Sequence, residues 1–229
     1  MNRTFKLSRT RALDGSALPR TKRTRAILFL SAISWLLLVA VGLWLLWGYE
    51  NTPGIAAESP RQWPADSRIQ PAQDHATLVM LAHPHCPCTR ASIGELASIM
   101  AHTQGRLRAY VLFIKPEGVS KDWEETDLWQ SASNIPGVKV ILDGDGKEAR
   151  LFHAATSGQT VLYDPHGRLL FSGGITGSRG HFGDNAGQAS IVSLANAEVP
   201  NRTETSVFGC PLFDPQYECR MPTNERNKH

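Results

Sequence analysis

The stretch Ala76–Leu96, ATLVMLAHPHCPCTRASIGEL, decides how the rest of the chain is read. Ala76–Ala82 is an unbroken apolar run, the composition of a strand buried on both faces. It breaks at His83-Pro84-His85-Cys86-Pro87-Cys88. From Thr89 to Thr103 the apolar residues fall at 93, 96, 97, 99 and 100, the spacing of one helix face, and Gly105 ends the pattern. Leu107–Ile114 (LRAYVLFI) reads as a second strand. Strand, helix and strand at this spacing imply a right-handed parallel crossover.

Further along, residues 120–133 (SKDWEETDLWQSAS) read as a polar helix with Ser120 as N-cap and acids in the first turn. Val138–Leu142 is another strand and Gly146–His153 a short helix. Thr160–Tyr163 and Arg168–Ser172 flank Asp164-Pro165-His166-Gly167 and form a hairpin. Asp184 or Asn185 caps a last helix over 186–198. No internal repeat is visible.

Upstream, the charge is divided. The net charge of +3 over 229 residues conceals a basic tail: residues 1–25 carry eight Lys or Arg against Asp14 alone. The remainder is mildly acidic, which excludes a basic nucleic-acid-binding surface. Hydrophobic residues at 41% and charged residues at 20% exclude a wholly disordered chain and a polytopic membrane protein. Ala26–Trp47 then runs 22 residues without a charge. As a helix it is about 33 Å long, enough for a hydrocarbon core of about 30 Å. The basic cluster marks the cytoplasmic side, and Trp44, Trp47 and Tyr49 suit the far interface. A cleaved signal is the rival, with Ile55-Ala56-Ala57 as a tolerable cleavage site, but a signal core is usually shorter. Either reading exports residues 50–229. The expected organisation is a cytoplasmic tail (1–25), a transmembrane helix (26–48), a proline-rich linker (49–75), an α/β domain (76–198) and a C-terminal extension (199–229).

All four cysteines, Cys86, Cys88, Cys210 and Cys219, lie beyond that span, where thiols tend to oxidise. Four cysteines allow three pairings. No Cys-x-x-Cys-His occurs, so haem attachment is not supported.

The element order, with a Cys-Pro-Cys where the first strand hands over to its helix, resembles the thioredoxin superfamily over about residues 74–198. The pattern is most similar to its membrane-anchored thiol-disulfide proteins, which carry an extra strand and helix before the hairpin, matched here by 138–153. HPHCPCTRASIGEL together with VFGCPLF also resembles a thioredoxin-like group known as RedB. The resemblance implies a thioredoxin-like fold behind a single transmembrane helix. It further implies a domain on the periplasmic side of the inner membrane that exchanges disulfides with another protein's thiols, without a cofactor. Two departures stand out. The usual motif is Cys-x-x-Cys, and aligning Pro87-Cys88 with its end puts His85 at the nucleophile's place. The family's cis-proline, counted back from Asp164, falls on Gly158.

Cys86 is expected to attack, because a thiol at a helix start meets unpaired N–H groups and loses its proton more readily. Cys88 is expected to resolve, and Pro87 fits a first-turn position. The glycine-rich loop Gly173–Asn185 (GGITGSRGHFGDN) should lie beside the motif, with His85, Arg179 and His181 favouring the thiolate. For Arg179, a surface pair with Asp184 is the plainer alternative. Cys210 sits in the apolar island Val207–Phe213, and 199–209 is long enough to carry it back to Cys86 or Cys88. A Cys210–Cys219 bridge is equally open. A second functional class also stands: His83, His85, Cys86 and Cys88 are ligand types suited to Cu(I) or zinc, as in a metal-delivery protein. Asp143-Gly144-Asp145-Gly146 lacks the later ligands of a calcium loop.

Overall fold

The computed structural model describes residues 20–55 and 57–213. Cys219 and the first nineteen residues of the basic tail lie outside them. The chain divides between Trp47 and Gly48 into two units. The first holds most of α1 (Arg20–Asn51), in which Lys22–Asn51 is long and apolar enough to cross a membrane. Its Ile, Leu and Trp side chains are exposed, as a lipid-facing helix requires.

In the second unit the elements run β1 (Ala76–Ala82), α2 (Thr89–Thr103), β2 (Leu107–Lys115), α3 (Asp127–Ser133), β3 (Val138–Gly144), α4 (Lys147–Leu151), β4 (Gln159–Tyr163), β5 (Leu169–Gly173) and α5 (Ala186–Ala195). The sheet order is β3-β2-β1-β4-β5. β1 pairs parallel with β2 and β2 with β3, while β4 runs antiparallel to both β1 and β5. This is the expected α/β order.

Alternation along β1 builds two cores. Leu78, Met80 and Ala82 face α2 and α5 together with Ile93, Leu96, Val111, Phe113 and Ile191. Val79 and Leu81 face the other way, against Phe152, Val161 and Tyr163. Burying each of the large side chains stabilises the fold by about 1.5–3 kcal/mol. β1 is covered on both faces, which is why it reads as continuously apolar.

Three expectations are corrected. Residues 57–75 are not a free linker. Trp63 packs edge-on against Phe152 and Tyr163, each with ring centroids 5.2 Å away. Ile69 and Ala72 are buried, and Trp63 N donates to Gly167 O at 2.7 Å. The segment turns at Pro64–Ser67 and closes the second core. The polar helix is shorter than expected: α3 begins at Asp127, where Thr126 Oγ1 accepts from Trp129 N, and Ser120 caps nothing there. Residues 120–126 instead form turns that bring Trp123 to the end of β2, its Nε1 donating to Ile114 O at 3.3 Å. The last helix stops at Ala195 rather than 198, with Asn185 as its cap, accepting from Gln188 N at 2.9 Å. Asp143, the start of the calcium-like tetrad, caps α4: its two oxygens accept from Glu148 N and Ala149 N, both at 2.9 Å.

Candidate active site

β1 ends at Ala82, and the chain turns through His83–Cys88 into α2. Cys86 O accepts from Thr89 N at 3.1 Å and Cys88 O from Ala91 N at 3.2 Å, so the motif forms the tightened first turn of the helix. Cys86 has 0% exposure and Cys88 9%. Both are free thiols.

The tail comes back to them. Cys210 Sγ lies 2.9 Å from Cys86 Sγ, in hydrogen-bond contact. With Cys86 as thiolate, the thiols of Cys210 and Cys88 and the Thr89 hydroxyl all donate to its sulfur. Together they hold its pKa far below the ordinary thiol range, with the Cys210 contact the largest cause and burial opposing it. Cys88 moves the opposite way. Its proton is committed to the Cys86 sulfur and burial adds to the rise, while Arg179 pulls the value down. The two sulfurs therefore titrate as a pair with one proton between them.

Arg179 is the cation beside the motif. It donates to Cys88, and its Nη1 donates to Gly209 O at 2.6 Å, so it ties the tail to the helix start. Its Nε donates to Thr52 O at 3.2 Å. His181, expected beside the thiols, is exposed, with its backbone N bonded to Ser178 O at 3.3 Å. His85 is not a cationic neighbour either. Its ring packs on Trp123 with centroids 4.2 Å apart, and burial lowers its pKa, favouring the neutral imidazole. His83 is lowered by burial as well.

Nor do His83, His85, Cys86 and Cys88 converge as ligands. His83 Nδ1 accepts from His85 N at 3.2 Å. Among the described residues, no three His, Cys, Asp or Glu side chains gather where they could hold a metal ion. The motif sulfurs turn to each other and to Cys210, while the imidazoles turn to Trp123.

Sequence reasoning missed the roles of three residues that support the site, although it placed Gly158 where the family has its cis-proline. Ser157 Oγ accepts from His83 N at 2.8 Å and lies 2.8 Å from Thr89 Oγ1, linking the end of β1 to α2. Gly158 N donates to Leu81 O at 2.8 Å, and its φ of +89° keeps residues 155–158 close to the motif without a proline. Trp123 walls the histidine side. A Thr-Ser-Gly before a strand carries little signal in sequence, since its importance lies in which distant loop it faces.

Neither a family model nor a curated protein matches the chain. Among the solved structures that share its fold are two of comparable extent. A hypothetical protein from Sinorhizobium meliloti is 17% identical, with a TM-score of 0.55, covering 68% of this chain and 95% of that one. An uncharacterized conserved protein from Geobacillus kaustophilus is 15% identical, with a TM-score of 0.53, covering 72% of this chain and 93% of that one. A secreted Mycobacterium tuberculosis disulfide oxidoreductase aligns more narrowly, at 14% identity and a TM-score of 0.34, over 42% of this chain and 67% of its own. The domain is an α/β fold whose three parallel strands, antiparallel hairpin and helices on both faces keep the element order that resembles the thioredoxin superfamily. An apolar N-terminal helix able to span a membrane precedes it.

Proposed function

We propose that this protein is a membrane-anchored thiol-disulfide oxidoreductase whose domain stands outside the cytoplasm. Cys86 attacks, Cys88 resolves, and Cys210 takes over one sulfur by exchange. One observation carries the reading: Cys86 is fully buried where the chain enters α2, and the sulfur of Cys210 lies 2.9 Å from its own. A thiol at a helix start with a sulfur on either side of it, Cys210 and Cys88, supplies the parts that disulfide exchange needs. Exchange moves two electrons between sulfurs, so no cofactor is required.

The anchoring is supported by α1, and a cytoplasmic N-terminus by the basic residues before Ala26. The partner is another protein's thiol or disulfide.

The test is exchange with glutathione disulfide. Cys86→Ser abolishes it, and Cys88→Ser accumulates a mixed disulfide on Cys86. If both variants exchange like the wild type, the reading is wrong. If both instead lose stoichiometric Cu(I) binding while exchange is untouched, the chain is a metal carrier.

A further inference from the structure

The tail is seated as a strand. Gly209–Leu212 runs antiparallel to Ala155–Ser157. Ser157 N donates to Cys210 O at 2.8 Å, Leu212 N donates to Ala155 O at 2.9 Å, and Thr156 and Pro211 form the bridge between them. Such main-chain bonds accept any extended peptide, and the side chains set the choice. Here the choice is narrow. A Cβ at Gly209 would stand 1.9 Å from Ser157 O, so only the smallest residue fits before the cysteine. Two residues after the cysteine, Leu212 is buried in the core that holds Val79 and Leu81. Cys210 lies between these anchors with its sulfur on Cys86. While this strand is seated, Cys86 has no exposed surface.

We propose that Phe208–Leu212 is a built-in competitor for the partner: it occupies the place beside Cys86 that a partner's cysteine peptide takes, and it leaves before that peptide enters. The peptide it stands in for is extended and reads small residue, cysteine, any residue, apolar residue. This deepens the thiol-disulfide reading and rests on it.

The chemistry balances with the tail displaced. The Cys86 thiolate attacks one sulfur of the partner's disulfide. A Cys86–partner bond forms, the partner's own S–S bond breaks, and the departing thiolate takes up a proton from water. Cys88 gives its proton to solvent and attacks the Cys86 sulfur, and the second partner thiolate leaves and is protonated. The partner gains two electrons and two protons; the Cys86–Cys88 pair loses two electrons and the one proton that Cys88 carried, and water supplies the other proton. Run backwards, the same steps oxidise a partner dithiol.

The experiment uses the full chain in detergent and reads alkylation of Cys86 by mass spectrometry. Gly209→Val cannot seat the tail, and Leu212→Ala removes its apolar anchor with a milder change. Either should raise the alkylation rate of Cys86 at least about tenfold, since exchange and modification follow access. A synthetic octapeptide of residues 206–213, with Ser in place of Cys210, should then restore protection in both variants. The same octapeptide with Val in place of Gly209 should not. Protection by the first and not the second separates an emptied groove from an unfolded chain. Unchanged alkylation in Leu212→Ala, or equal protection by the two peptides, overturns the proposal. Glutathione disulfide exchange is measured alongside. If it persists while the peptides fail to discriminate, the competitor falls and the oxidoreductase reading stands. If no variant exchanges, that reading falls first.

Discussion

The sulfur of Cys210 lies 2.9 Å from that of Cys86, although 124 residues separate them in the chain. Mild oxidation should therefore yield a Cys86–Cys210 linkage in the full-length protein, recovered by peptide mapping. In Cys210→Ala, the oxidised product should shift to Cys86–Cys88. Recovery of Cys210 joined only to Cys219, with Cys86 still a thiol, contradicts this pairing.

Arg179 couples the tail to the motif through Gly209 O and Cys88. A hydrogen bond from a charged donor contributes about 1.5–3 kcal/mol when buried, and this side chain is partly exposed, so about 1 kcal/mol is expected. Arg179→Ala should let the tail open about fivefold more often, read as faster Cys86 alkylation. Cys88 should become slower to alkylate, because it loses the cation that favours its thiolate. If neither rate moves, Arg179 is a surface residue only.

The thiol pair makes stability depend on pH in a stated direction. Cys86 is lowered by the thiols that donate to it, and Cys88 is raised by giving its proton to Cys86. In the unfolded chain both return to about 8.5. A lowered folded value contributes stability that is complete above about 8.5 and is lost as pH falls through the folded value. A raised one contributes stability that is complete below about 8.5 and is lost as pH rises through the folded value. The reduced protein should therefore gain stability as pH climbs towards about 8.5 and lose it beyond. Urea midpoints of reduced wild type minus Cys86→Ser should peak near that pH. A flat difference contradicts the shared proton.

Trp63 closes the second core from outside the βαβ framework, against Phe152 and Tyr163. Trp63→Ala should destabilise the domain by about 3 kcal/mol, the lower end for losing a packed tryptophan. Denaturant unfolding of the full chain measures it. A loss under about 0.5 kcal/mol would mean that residues 57–75 merely lie on the surface.

Much of this was legible in the sequence where local pattern and tertiary role coincide. β1 and α2 announce themselves by an apolar run and a helical period, and the break between them exposes Cys86 and Cys88. The linker misled because its composition is that of a solvated segment. Trp63, Ile69 and Ala72 are too widely spaced to show a period, yet each finds its own gap in a core formed elsewhere. Ser120 misled because its acids suit a first turn, but the chain must stay irregular to lay Trp123 on the histidines. His85 and His181 looked like cations for a thiolate. One is neutralised by burial and the other points to water, and neither fate is written in local sequence. The role of Ser157 arises only when a distant loop closes on the motif.

A redox titration of the full-length protein in glutathione buffers, with the state of Cys86 read by mass spectrometry, tests the central claim most directly. Cys86 should convert reversibly between thiol and disulfide as a two-electron couple, tenfold in the equilibrium for each ~30 mV. A Cys86 that stays reduced across the whole range, or that oxidises only irreversibly, would contradict it.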